Sequence, residues 1–257
     1  MTAVTHHSVA QTAKRWLRGS LAQAGLELRR LPASELDAEP PAVPYIENAE
    51  SGPGNLETKR ARVAVGGPFE WPNIIALNRA VVDLLGPAKR IAELGGGTGL
   101  FASEAATDPS RHIVCSEYDD GAHQWARANR PSPRIDYVQR PITADDGPFD
   151  MVVAIEVIEH IADYASFLRA CRALAPCALI TTPNRLRERA LGHAGPPDYD
   201  RHVREWSAGE FYWVLRAFWP QVELFAMPDV NKPETRRIDV NSRLTPLIAR
   251  CHVVEDF

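Results

Sequence analysis

The 257-residue sequence has little that would mark it for a membrane, an oxidising compartment or a polyanion. No apolar run approaches the roughly 20 residues of a membrane helix, and the N-terminus lacks the apolar core of a secretion signal. The four cysteines, Cys115, Cys171, Cys177 and Cys251, make no Cys-x-x-Cys pair and no metal-ligand spacing. With Cys115 and Cys177 inside expected strands, buried free thiols and a reducing cytoplasm are the expectation. A formal net charge of −4 supplies no overall attraction to nucleic acid or anionic lipid. Internal repeats and low-complexity tracts are absent too. What is left, 45% hydrophobic and 24% charged, is the composition of a globular chain. Its length suits one large α/β domain with extensions.

The most informative stretch is Arg90-Ile91-Ala92-Glu93-Leu94-Gly95-Gly96-Gly97-Thr98-Gly99-Leu100-Phe101-Ala102. Ile91, Ala92 and Leu94 supply a buried strand, and a helix is expected from Leu100 onward. Between them Gly95, Gly97 and Gly99 make a turn in which no Cβ blocks a ligand. A strand, glycine turn and helix start is a nucleotide-binding arrangement. In a dinucleotide fingerprint the third glycine follows the second by three residues, whereas here the glycines alternate. Glu93, at the strand end, would repel a pyrophosphate and suits a ligand carrying an ammonium group.

Around this stretch, helical and strand patterns alternate. Helices are expected at residues 73–85 (with Pro72 in the first turn), 120–129, 163–174 and 207–218. Strands are expected at 112–116, 134–138, 149–155 and 178–182. Repeated βα units imply an α/β fold with a doubly wound, mostly parallel, seven-stranded sheet. Residues 222–225 and 247–253, with no helix between them, are expected to pair as its antiparallel end. Ahead of this domain (72–257), residues 1–31 hold a short amphipathic segment. Trp16, Leu17, Leu21 and Ala24 share a face beside Lys14, Arg15 and Arg18. It would pack on the domain, or residues 13–31 would rest on a membrane surface or another protein. Residues 32–71 are rich in proline and read as a linker, part of which is expected to order as a lid.

The alternating glycines behind Glu93 resemble motif I of the class I S-adenosylmethionine-dependent methyltransferases, which have a Rossmann-like fold. Glu117, 24 positions after Glu93 at the end of the second strand, stands where that family accepts from the ribose hydroxyls. Phe149-Asp150, Glu156-Val157-Ile158-Glu159-His160 and Thr182-Pro183-Asn184 follow in the family's order, so the likeness runs over roughly residues 72–253. It implies S-adenosylmethionine as methyl donor, held by Glu93, Gly95, Gly96, Gly97, Gly99 and Glu117. Tyr118 would lie beside the adenine and Glu156 would close the pocket. After the third strand the chain departs from the family, with Arg140-Pro141-Ile142-Thr143 in place of a Gly-Asp pair. The adenine amine is then left to Asp145, Asp146 or the backbone of Ile142 and Thr143.

Glu156, Glu159 and His160 are spaced as neighbours on one helical turn, and His202 comes from the segment Asp200-Arg201-His202-Val203-Arg204-Glu205-Trp206. Two carboxylates and two imidazoles suit a divalent ion with positions left for substrate. This pattern resembles the Glu-x-x-Glu-His segment of the small-RNA 3′-terminal 2′-O-methyltransferases and the ubiquinone-biosynthesis O-methyltransferases. The first likeness implies Glu156, Glu159, His160 and His202 as ligands of Mg²⁺ or Mn²⁺. In other small-molecule members His160 would serve as a base without an ion. His160, Glu159 and His202 are accordingly the catalytic candidates. The expected acceptor is a hydroxyl of a small molecule, sugar or glycan, then a quinone-type phenol, then an RNA 3′-terminal ribose. For an RNA or a phosphorylated or nucleotide-linked sugar acceptor, Arg185, Arg187, Arg189, Arg201 and Arg204 would hold the phosphate. Two readings of other classes stand beside these: a non-catalytic S-adenosylmethionine-binding partner subunit and a nicotinamide oxidoreductase.

Overall fold

The computed structural model describes residues 71–186 and 202–253. The amphipathic segment, the linker through residue 70, Arg187, Arg189 and Arg201 lie outside them.

Pro72 opens α1 (Pro72–Asp83), where its missing N–H leaves no helix bond unmade, and Ala76, Leu77, Ala80 and Val81 bury one face. Strands and helices then alternate: β1 (Arg90–Leu94), α2 (Leu100–Ala105), β2 (His112–Ser116), α3 (Asp120–Asn129), β3 (Ile135–Val138), β4 (Met151–Ala154), α4 (Tyr164–Leu174), β5 (Cys177–Thr182), α5 (Ala208–Leu215), β6 (Gln221–Ala226), β7 (Arg236–Arg237) and β8 (Leu247–His252). Asp119, Asp163 and Ser207 cap α3, α4 and α5, each side chain accepting from a first-turn N–H.

The sheet order is β3-β2-β1-β4-β5-β8-β6-β7. Neighbours from β3 through β5 are parallel, and β8 runs antiparallel to both β5 and β6. The antiparallel pair expected at 222–225 and 247–253 forms as β6 and β8, with β8 the inner strand of the two. Among the described residues there are eight strands where seven were expected. The extra one, β7, is two exposed arginines paired with Phe225 and Ala226, too short and too polar to leave a sequence pattern.

Strands β1, β2, β4 and β5 are buried almost throughout, as parallel strands covered on both faces must be. Alternate residues divide the core. Ile91, Ile113, Met151, Val153 and Leu179 pack with Phe101 and Ala102 of α2 and with the buried face of α1. Ala92, Val114, Val152 and Ile180 pack with Phe167 and Leu168 of α4 and Phe211 and Leu215 of α5. All four cysteines are free and buried. Among the described residues no helix is long and apolar enough to cross a membrane.

Candidate functional site

The carboxyl ends of β1 and β2 meet at the glycine turn. The N–H groups of Gly95 and Gly96 both donate to the Ser116 carbonyl, at 2.9 and 3.0 Å, which docks the turn on the neighbouring strand. Gly99 begins α2 at φ +73°, and a Cβ there would strike the Tyr137 hydroxyl. Gly97, at φ +55°, has nothing within 4 Å of where a Cβ would stand, so the backbone faces open space. Glu117 is buried beside it: Oε2 accepts from Gly97 N–H at 2.7 Å and Oε1 from Asp119 N–H at 2.8 Å. Each oxygen keeps a lone pair for a ligand. Glu93 lies under the turn, close enough that a Cβ on Gly96 would meet its carboxyl and the Cys115 sulfur. Burial above all pushes the Glu93 carboxyl up to about 8; a Cys115 hydrogen bond opposes this and the Glu117 charge adds to it.

Past β3, the Ser116 hydroxyl donates to the Arg140 carbonyl at 2.7 Å, tying the exit of β3 to the end of β2. Asp146 pairs bidentately with Arg140 at 2.6 and 2.8 Å and accepts from Thr143 N–H at 2.9 Å. The Arg140 guanidinium holds its carboxyl down at about 2. Asp146 and the Thr143 N–H are thus committed to the turn. Asp145 is exposed, and Ile142 is buried with its backbone as the remaining donor or acceptor.

Beyond β4 the backbone turns sharply. Glu156 adopts φ +53°, the one non-glycine residue with positive φ among those described. Its N–H donates to Thr181 Oγ1 at 2.9 Å, and its carboxylate accepts from the same hydroxyl at 2.8 Å. The left-handed residue interrupts the helical turn expected over 156–160, and only Ile158–His160 form a 3₁₀ turn. Glu156 and Glu159 therefore do not share a helix face.

Glu159, His160 and His202 do come together, with one potential ligand atom from each within 4.8 Å of the others. Glu159 is fully buried, and neither of its oxygens makes a well-formed hydrogen bond; the Thr182 hydroxyl is the neighbouring donor. Burial, then the nearby Glu156 charge, push its carboxyl far above the ordinary range. The His160 and His202 rings meet edge to face with centroids 4.9 Å apart. His202 is brought in by the backbone: the Glu159 carbonyl accepts from Val203 N–H at 2.8 Å and Arg204 N–H at 3.1 Å. Behind it, Glu205 Oε1 sits 3.0 Å from His202 Nδ1. Buried Trp206 bridges to Asn184, whose amide donates to the Ser242 and Leu244 carbonyls at 2.9 Å each. The Arg204 guanidinium lies 4.1 Å over the Trp206 ring, and Arg185 pairs with Glu210 at 2.7 Å.

A family model described as a methyltransferase domain matches residues 73–218, more than half the chain. The chain belongs to the class I S-adenosylmethionine-dependent methyltransferases. It is 31% identical over 137 residues to a probable S-adenosylmethionine-dependent methyltransferase of Mycolicibacterium smegmatis, covering 52% of each chain. It is 27% identical to one of Mycobacterium tuberculosis over 68% of each. A ubiquinone biosynthesis O-methyltransferase of a Caulobacter species is 33% identical over 41% of this chain and 46% of its own. The chain thus spans about half to two thirds of the length of these relatives. In fold it is similar to the methyltransferase domain of bacterial CtHen1, with TM-score 0.53 and 20% identity over 70% of this chain and all of that one. The plantazolicin methyltransferase BpumL, solved with S-adenosylhomocysteine, gives TM-score 0.53 and 11% identity over 78% of this chain and 97% of its own.

The structure brings Glu93, the glycines and Glu117 to one sheet end, and gathers three of the four residues expected around an ion. Glu156 is not in that group, and its Oε1 accepts from Thr181. Of the five arginines expected to hold a phosphate, the two described are already engaged, Arg185 by Glu210 and Arg204 by Trp206. Sequence reasoning missed Glu205 and Thr181. A carboxylate three residues past a candidate ligand was the available signal for the first, and none marked the second.

Proposed function

We propose that the protein transfers the S-adenosylmethionine methyl group to a hydroxyl of a small molecule or sugar, with a divalent ion assisting at Glu159, His160 and His202. The observation that carries the reading is Glu159: a fully buried carboxylate with no well-formed hydrogen bond, facing two imidazoles. Such a group is costly unless a cation or proton compensates it. One carboxylate and two imidazoles suit Mn²⁺ or a similar first-row ion better than Mg²⁺, which favours oxygen ligands. When bound, the ion would supply Lewis-acid stabilisation of negative charge on the acceptor oxygen.

The rest of the work falls to the chain. Glu117 would accept from the ribose hydroxyls while the open face at Gly97 admits the donor closely. Glu93 would meet its ammonium group, and Ile142 would lie against the adenine, with Tyr118 beside it. The acceptor oxygen then attacks the methyl carbon in line with the sulfonium; a C–O bond forms, the C–S bond breaks, and its electron pair stays on sulfur. The hydroxyl proton leaves toward solvent or His160.

A phenolic acceptor is the second reading, favoured by the identity to the ubiquinone biosynthesis O-methyltransferase. A phenol is acidic enough, near pKa 10, to need only a base such as His160. Titration with Mn²⁺ followed by electron paramagnetic resonance separates the two. We expect one site, lost in Glu159→Gln and His202→Ala and kept in Glu156→Gln, with S-adenosylhomocysteine binding intact in the first two. Absence of Mn²⁺ binding to the wild type would end the ion-assisted reading and leave His160 as the candidate base.

A further inference from the structure

The structure assigns Glu205 a role that no motif announced: we propose that it is a positioning residue, holding His202 as the Nδ1–H tautomer so that the Nε2 lone pair is the one offered to the acceptor site. The use of that lone pair, to ligate an ion or to take a proton, rests on the function proposed above. The positioning itself does not.

The argument is one of donors and acceptors. An ionised carboxylate offers only acceptors, so the hydrogen in the 3.0 Å contact between Glu205 Oε1 and His202 Nδ1 belongs to the ring. A neutral imidazole has a single N–H, so Nε2 is then left bare. Both side chains are largely buried, 8% and 1% exposed. Glu205 Oε2 is buried without a hydrogen bond, so His202 is the group that this carboxylate engages.

Neither residue is free to turn away. The Glu159 carbonyl grips the two N–H groups that follow His202, and Trp206, next to Glu205, is fully buried and hydrogen-bonds Arg185 N–H through its carbonyl at 2.9 Å. Val203, Arg204 and Trp206 are thus held by backbone hydrogen bonds and Glu205 by burial, which fixes the carboxylate and the chain immediately after His202. A carboxylate on the remote nitrogen fixes ring orientation and raises the basicity of the other. That is what either use of Nε2 requires.

The test is the tautomer of His202, read from ¹⁵N chemical shifts of the neutral ring in the complex with S-adenosylhomocysteine and assigned by loss of the signal in His202→Ala. The wild type should show Nδ1–H. Glu205→Gln places an amide that can accept from or donate to Nδ1, and should mix the tautomers, while Glu205→Leu, which can do neither, should release the ring. Mn²⁺ affinity should fall by about 10- to 100-fold. Affinity for S-adenosylhomocysteine should stay within threefold, and Glu205→Asp should recover part of the loss. An Nε2–H wild type, or an unchanged tautomer in Glu205→Leu, overturns the proposal. If Glu205→Leu does not fold, the wild-type tautomer alone decides. The two readings fail separately. A changed tautomer in Glu205→Leu of a protein that binds no Mn²⁺ sinks the ion and keeps the positioning. Loss of Mn²⁺ in His202→Ala, with Glu205→Leu like wild type, does the opposite.

Discussion

Replacing Glu117 by Gln changes one atom and the charge, yet the contacts make it a severe substitution. Both carboxylate oxygens face backbone donors, Gly97 N–H at 2.7 Å and Asp119 N–H at 2.8 Å. An amide has one oxygen, so whichever way it turns, its NH₂ must point at an N–H. One backbone donor loses its acceptor, and the glycine turn or the start of α3 must shift. The ribose contact suffers as well, because a charge-assisted hydrogen bond contributes about 1.5–3 kcal/mol. Each such bond lost corresponds to roughly a 10- to 200-fold rise in dissociation constant. For Glu117→Gln we expect S-adenosylhomocysteine to bind at least about 100-fold more weakly by isothermal titration calorimetry. Glu117→Ala, which opens room for water to reach both N–H groups, should be no worse. A Glu117→Gln protein that binds within threefold of wild type would refute the argument, since neither the donor clash nor the lost charge would then matter.

Two further outcomes follow from the same strand ends. Because the Glu93 carboxyl is pushed up to about 8 from an unfolded value near 4.5, the folded ligand-free protein holds a proton there that the unfolded chain releases between those values. Its stability should therefore fall as pH rises through that window and level off above it. Thermal melts of Glu93→Gln against wild type isolate this slope, and identical pH profiles would contradict it. At the turn, Gly99→Ala meets both a left-handed backbone and the Tyr137 hydroxyl, and should cost stability by about 2–3 kcal/mol. Gly97→Ala has open space, and should cost only about 1–2 kcal/mol of stability but weaken S-adenosylhomocysteine binding. Equal effects of the two on melting temperature and on affinity would show that the turn is merely structural.

Most of the fold was legible because its signals are local. Strand 112–116 and helix 120–129 were read to the residue, since apolar runs and periodic faces end at Asp and Pro-rich breaks that also end the elements. Asp163 and Ser207 were read as first helical residues and are caps, an error of one position. The place of β8 was not legible, because nothing in Leu247–His252 distinguishes an interior antiparallel strand from one at the end. Glu93 and Glu117 stand where their places after apolar strand residues put them, beside the glycine turn. The Glu156–Glu159 spacing misled, because the face-sharing rule assumes an unbroken helix and Glu156 is left-handed. Glu205 was hidden for a different reason: its partner is a neighbour in a loop, where no periodicity points one side chain at another.

The interior position of β8 also has a bearing on how the chain becomes structured. β5 and β6 are not paired with each other; each hydrogen-bonds to β8, the last described strand to leave the ribosome. Until then both present open, apolar edges, the kind that pair with other chains. The Rossmann half that carries the glycine turn can form early, from parallel neighbours close in sequence. The half behind Thr181 and Thr182 must wait for Leu247 and Ile248 to pair with them. Premature termination before residue 247 should therefore leave an aggregating nascent chain rather than a smaller working domain, and chaperone demand should peak late in synthesis.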